Sequence, residues 1–97
     1  MNVEEIVDIR ISAGQQQAFE EAVHRGVTTV IGQAKGFMGY SLQHSIESPE
    51  RYLLTICWKT LEDHTVGFRE SELFPQWRAI VGPFFAQPPV IEHFMRA

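Results

Sequence analysis

Residues 51–59, Arg-Tyr-Leu-Leu-Thr-Ile-Cys-Trp-Lys, form the segment that most restricts this chain. In an extended backbone, side chains alternate between two faces. Tyr52, Leu54, Ile56 and Trp58 then share one face, and Leu53, Thr55 and Cys57 share the other. Both faces are largely apolar, which predicts a strand covered on both sides. An apolar sheet face with nothing from its own chain to cover it marks an interface.

The flanking sequence supplies the rest of a sheet. From Val3 to Ser12, Val3, Val7, Ile9 and Ile11 take one parity while Glu4, Asp8 and Arg10 take the other. Ser12 with Gln15 fits a capping box. The helix it predicts carries Phe19, Val23, Val27, Val30 and Ala34 at spacings of three and four. Gly36 fits the position past the helix end that favours positive φ. A second strand is expected from Phe37 to Ile46, with Met38, Tyr40, Leu42, His44 and Ile46 on one face. Glu47-Ser48-Pro49-Glu50 is a turn sequence. Beyond the third strand, Thr60 with Asp63 predicts a short helix through Arg69, and Ser71 starts another that tolerates Pro75 in its first turn. Gly82-Pro83 stops that helix. Gln87-Pro88-Pro89 is an extended connector, and Val90 to Met95 reads as a last strand.

This order predicts an α+β fold over residues 1–97, a single domain of the ferredoxin-like βαββαβ kind with an antiparallel four-stranded sheet. One sheet face packs on the helices. The other carries Leu53, Cys57 and part of the last strand, so two copies are expected to close face to face as a homodimer, a dimeric α+β barrel.

Composition removes several function classes. The net charge is −4, and the eight basic residues are scattered rather than gathered into a phosphate-neutralising stripe, so no nucleic-acid partner is expected. Apolar runs of a few residues fall far short of the roughly 20 that cross a bilayer, so no membrane span is expected. Cys57 is alone, which rules out an intrachain disulfide and a cysteine-based zinc site. On the face opposite Trp58 it reads as a small hydrophobe. The N-terminal residues lack the pattern of a signal peptide, and a cytoplasmic location is the default expectation.

Reactive side chains concentrate between Cys57 and Arg78. Leu61, His64 and Phe68 lie at i, i+3 and i+7, hence on one helix face. His64 is then either a buried histidine satisfied by a backbone carbonyl or a pocket histidine that accepts a proton. A pKa of about 6.5 suits the second role. Trp58 and Trp77 are either core or the wall of an aromatic pocket. Arg69 and Arg78 are either solvated or donors to an enolate or phenolate oxygen. Tyr40 and His44 share a strand face from which either could reach the pocket. His24 reads as surface, and His93 as a residue of the outward or dimer face of the last strand. The four histidines lack metal-site spacing, and neither a nucleotide-binding nor a GxSxG motif occurs, so no metal is expected.

Taken with these residues, the chain resembles the antibiotic biosynthesis monooxygenase family. The likeness runs through S-A-G-Q-Q-Q-A-F-E, A-K-G-F-M-G-Y, S-P-E-R-Y-L-L-T-I-C-W, H-T-V-G-F-R-E-S-E-L-F-P-Q-W-R and V-I-E-H-F. Gly36-Phe37, Arg51-Tyr52, Trp58 and Ser71-x-x-Phe74 carry most of it. The resemblance implies a homodimer with one pocket per subunit, and oxidation of a small phenolic, quinol or polycyclic aromatic substrate by dioxygen without a cofactor. His64, Trp58 and Arg69 would then be catalytic, with Tyr40, His44, Phe68, Trp77 and Arg78 binding the substrate. The haem-degrading branch of the family is disfavoured, because its Asn and His positions fall at Val7 and Arg78. The histidine of many quinol-oxidising relatives falls at Phe68, with His64 one turn earlier. A non-catalytic domain that binds an aromatic metabolite, or an isomerase or lyase, are the other readings this fold admits.

Overall fold

The computed structural model describes residues 2–97. Strand β1 (Val3–Arg10) leads to helix α1 (Gln16–Thr29), then to β2 (Phe37–His44) and β3 (Arg51–Trp58). A π-helical turn, Asp63–Phe68, precedes helix α2 (Leu73–Val81), and β4 (Val90–Phe94) closes the order. The four strands form one antiparallel sheet in the order β2-β3-β1-β4. This is the ferredoxin-like α+β arrangement that the sequence predicts, with an open sheet. No helix of the described residues is long and apolar enough to cross a membrane.

Alternation in the two central strands is strict. Tyr52, Leu54, Ile56 and Trp58 are at most 2 % exposed, as are Ile9 and Ile11 of the first strand and its extension. They pack under Phe19, Val23 and Val27 of α1 and under Trp77 and Val81 of α2. The opposite face carries Ile6, Leu53, Cys57, Val90 and Phe94 by the same parity, and no element of the described chain lies over it. Val90 and Phe94 are about half exposed there (58 % and 49 %).

Several local expectations are corrected. Helix α1 starts at Gln16 with Gln15 as its N-cap and no side-chain cap bond, so Ser12 and Gln15 form no capping box. The backbone N–H of Gln15 turns back to the Ser12 carbonyl instead. The same helix stops at Thr29 rather than running to Ala34; Val30 to Ala34 continue as a short 3-10 turn and extended backbone. The β-branched pair Thr28 and Thr29 sits at that end, their hydroxyls donating to the Arg25 carbonyl one turn back.

Strand β2 ends at His44, and Ile46 beyond it is 93 % exposed. A bulge between Phe37 and Gly39 shifts the register. It sets Phe37 opposite Trp58 and Tyr40 opposite Ile56, so Phe37 joins the core face and Met38 is left 53 % exposed. Thr60 does accept the Asp63 N–H, as a cap should. The turn that follows is π-helical, and Leu61 lies 41 % exposed while His64 and Phe68 are buried.

Candidate functional site

The site is built on a carboxylate. In β1 the core-facing parity runs Glu5, Val7, Ile9, and Glu5 is only 4 % exposed. Its Oε1 accepts the indole N–H of Trp58 at 3.0 Å. His64 Nε2 lies 3.3 Å from the same oxygen. On the other side of that imidazole, His64 Nδ1 lies 2.8 Å from His93 Nε2 on β4, where one nitrogen donates and the other accepts. Glu5 and His93 are direct cross-strand partners, so the β1–β4 pairing carries His93 to this point.

The wider π-helical winding brings His64 inward. The Arg69 N–H bonds to the His64 carbonyl, five residues back, and such turns recur at functional sites. His64 is 2 % exposed and stacks on Trp58, with ring centroids 5.5 Å apart and planes at 21°. Phe68 packs on the same indole at 5.7 Å. Ser71 fixes the start of α2: its Oγ donates to the Phe68 carbonyl and accepts the Leu73 N–H.

A small cavity adjoins the carboxylate. It measures 40 Å³ and is lined by Glu5, His64, Phe68, Phe74, Trp77 and Arg78, with aliphatic side chains of the sheet completing it. An apolar cavity that takes up benzene measures about 150 Å³. This one holds dioxygen or a few waters. A phenol ring would require outward movement of the surrounding side chains. Phe74 meets Phe68 edge-on at 5.8 Å, and the Arg78 guanidinium lies within about 6 Å of the Phe74 and Phe85 rings (6.0 and 5.8 Å). Arg78 is exposed while Phe74 and Phe85 are half-buried, so this group stands between the cavity and solvent.

Burial separates the two titrating groups at the centre. It pushes the Glu5 carboxyl up to about 7, against the pull of the Trp58 hydrogen bond and the Arg69 charge. It pushes His64 down to about 4, with the Arg69 and His93 charges adding to the effect. His93 is also lowered, by burial and then by Arg69. Near pH 7, His64 is a neutral imidazole and Glu5 divides between acid and carboxylate. The Trp58 N–H donates to Oε1, His64 Nε2 lies beside the same oxygen, and no protein donor among the described residues engages Oε2. Because no buried polar side-chain atom lacks a partner, Oε2 keeps some accessible surface, and Glu5 is one of the residues lining the cavity.

His64, Phe68, Trp77 and Arg78 thus come together around one cavity, with Trp58 behind them as donor and stacking partner. Arg69 stands outside the lining, its guanidinium 5.9 Å from the Phe74 ring centre, and acts on Glu5 and His64 through its charge. Two residues are placed elsewhere. The hydroxyl of Tyr40 pairs with His24 Nδ1 at 2.8 Å. His44 stacks on Tyr52 and bonds to the Pro49 carbonyl. Both belong to β2, on the far side of β3 from the β1–β4 half of the sheet that carries the cavity.

His93 turns inward on the helix-covered side rather than toward the open face, because its register partner is Glu5. The residue that sequence reading missed is Glu5 itself. Its signal was present: a carboxylate on the parity of Val3, Val7 and Ile9 must be buried and partnered. Glu5, His64 and His93 do not converge on one ion position, since His64 meets the other two through opposite ring nitrogens.

A model of the antibiotic biosynthesis monooxygenase family matches residues 3–80. The chain belongs to the antibiotic biosynthesis monooxygenase family. Among its relatives, the Bacillus subtilis protein YczJ is 38 % identical over 92 residues, spanning 95 % of this chain and 96 % of that one. A Bordetella bronchiseptica crystal structure bearing the family's name superposes with a TM-score of 0.93 at 36 % identity, over 99 % of this chain and 97 % of the other. A mutant of SnoaB, a cofactor-independent oxygenase from Streptomyces nogalater, shares the fold. Its TM-score is 0.80 at 12 % identity, over 98 % of this chain and 92 % of that one.

Proposed function

We propose that this protein is a cofactor-independent monooxygenase that oxidises a small phenolic or quinol compound, with Glu5 as the general base. The observation that carries this reading is the buried Glu5 carboxyl, raised to about 7, which lines an aromatic cavity and has no protein donor on Oε2 among the described residues. A general base works best when its pKa lies near the operating pH. His64, with both nitrogens engaged and its pKa lowered to about 4, is a positioning residue rather than the base.

The chemistry balances without a further reductant. Glu5 Oε2 takes the phenol O–H proton, or an acidic C–H proton of its keto form, and the anion becomes rich enough in electrons to react with dioxygen. It passes electrons to dioxygen one at a time, and a C–O bond forms to give, after protonation, a hydroperoxide. Loss of water leaves a new carbonyl: R₂CH₂ + O₂ gives R₂C=O + H₂O. Arg78 at the mouth supplies N–H donors for the anion, and the apolar lining excludes water.

Oxygen uptake by metal-free protein with a panel of quinols and anthrones tests the reading. Turnover above the Glu5→Gln background supports it. Tight binding with no oxygen consumption would replace it with a binding role for the same cavity.

The homodimer belongs to this proposal too. Its support is the apolar parity of Ile6, Leu53, Cys57, Val90 and Phe94 on a sheet face that no element of the described chain covers. A solution mass of 11.1 kDa at micromolar concentration would reject it; twice that mass is expected.

A further inference from the structure

We propose that His64 and His93 form a proton relay that connects Glu5 to solvent. This rests on the reading of Glu5 as the base. It adds a route, and it assigns to His93 a role that neither the cavity nor the family likeness gives it.

The argument starts from a difficulty that the site creates for itself. A base buried to 4 % exposure, in a narrow cavity lined by Phe74, Phe85 and Arg78, must discard its proton after each turnover. Escape through the cavity would need water in a space that the chemistry keeps dry. Oε1 offers another way out. From it, a 3.3 Å contact reaches His64 Nε2, and a 2.8 Å contact joins His64 Nδ1 to His93 Nε2. His93 is exposed, and its Nδ1 has no partner among the described residues. Three groups from three elements, β1, the π-helical turn and β4, therefore line up from the cavity to the surface.

Other partners would have broken the chain. Had His64 bonded to a backbone carbonyl through one nitrogen, as buried histidines often do, that nitrogen would be a fixed donor and nothing could pass. Here both neighbours of His64 can donate or accept.

The transfer balances as follows. A half-turn of the carboxyl, whose last torsion is broad and two-fold, brings the captured proton from the Oε2 position to the Oε1 position. That proton passes to His64 Nε2 as the His64 Nδ1 proton passes to His93 Nε2 and the His93 Nδ1 proton passes to water. Glu5 ends as a carboxylate, and each imidazole is neutral before and after with its tautomer reversed. Proton exchange with water as product leaves returns both rings to their starting tautomers before the next turnover. No imidazolium is required at His64. Arg69 is the cation that acts on all three groups, lowering the proton affinity of Glu5, His64 and His93, and it favours release of the proton to solvent. Trp58 donates to the carboxylate that remains.

Nitrogen-15 imidazole spectra of the whole protein across the Glu5 titration test the relay without any substrate. The relay predicts that His64 carries its proton on Nδ1 when Glu5 is protonated and on Nε2 when Glu5 is ionised, changing over with the carboxyl. A His64 tautomer that stays the same through the whole titration overturns the proposal.

A kinetic arm separates this idea from the function it rests on. With a quinol that the wild type oxidises, His93→Gln is expected to lower kcat at least ~10-fold. KM should stay unchanged, and added imidazole should restore the rate. Full activity in Glu5→Gln would reject Glu5 as base. An inactive Glu5→Gln beside a fully active, imidazole-insensitive His93→Gln would reject only the relay.

Discussion

The indole N–H of Trp58 reaches across the β1–β3 pairing to donate to Glu5 Oε1 at 3.0 Å, joining a residue at the end of one central strand to a carboxylate near the start of the other. Trp58 is fully buried. Its ring serves as floor for His64 and Phe68 while its nitrogen holds the Glu5 carboxyl.

Trp58→Phe keeps most of the packing and removes that donor. The hydrogen bond lowers the Glu5 pKa, so its loss is expected to raise the carboxyl above its present value of about 7. Stability should fall by about 1–3 kcal/mol, as expected for a buried acceptor that loses its partner. Carboxyl NMR and denaturant unfolding measure the two effects. An unchanged Glu5 titration would show that the bond does not tune the site.

Stability should depend on pH through two opposing slopes. The folded Glu5 pKa, about 7, exceeds its ordinary 4.5, so the folded state binds the extra proton and stability falls as pH rises between them. His64 is lowered from 6.5 to about 4, so the unfolded state binds the extra proton and stability rises with pH in that window. Each swing is on the order of 3 kcal/mol, and they overlap and nearly cancel from about pH 4.5 to 6.5. Glu5→Gln should expose the rising slope, and His64→Asn the falling one. Parallel profiles for the two variants would contradict this assignment.

Gly26 sits in the middle of α1 because Trp77 lies against it. A Cβ there would stand 2.7 Å from the indole, closer than such atoms come. Gly26→Ala gains about 1 kcal/mol of helix propensity but forces the ring to move, at an overpacking cost of about 1–3 kcal/mol. The expected outcome is a net loss of about 1 kcal/mol with altered tryptophan emission, since Trp77 lines the cavity. Unchanged emission and melting temperature would mean the ring has room to give.

Phe74→Ala should open the cavity. The ring contacts Phe68 edge-on and lies near both Arg69 and Arg78. It is half-buried, so its removal should cost about 2 kcal/mol, less than a fully buried phenylalanine. Phenol, titrated by fluorescence or NMR, is expected to bind more tightly to this variant. Weaker binding would identify the ring as part of the binding wall instead of a barrier.

How much was legible beforehand depends on the range of the interactions involved. The buried face of β3 follows from neighbours a few positions apart, and the structure keeps it; Gly36 has its positive φ in the loop before β2 rather than at the end of α1, which stops at Thr29. The helix placing His64 and Phe68 inward was also readable, although Leu61 at the predicted third position is exposed, because π-helical winding changes which residues share a face. Tyr40 and His44 could be placed on one strand face, but not excluded from the site, until strand order put β3 between β2 and the cavity.

The sequence by itself determined the family, the βαββαβ order and the core, because hydrophobic periodicity is a local property that survives in any register. Only the tertiary structure decided the site. Trp58, Glu5, His64 and His93 are distant in sequence, and each side chain alone has a mundane explanation. Antiparallel pairing of β1 with both β3 and β4 sets Glu5 between Trp58 and His93, and burial then moves its proton affinity toward neutrality. A carboxylate acquires that property from what surrounds it.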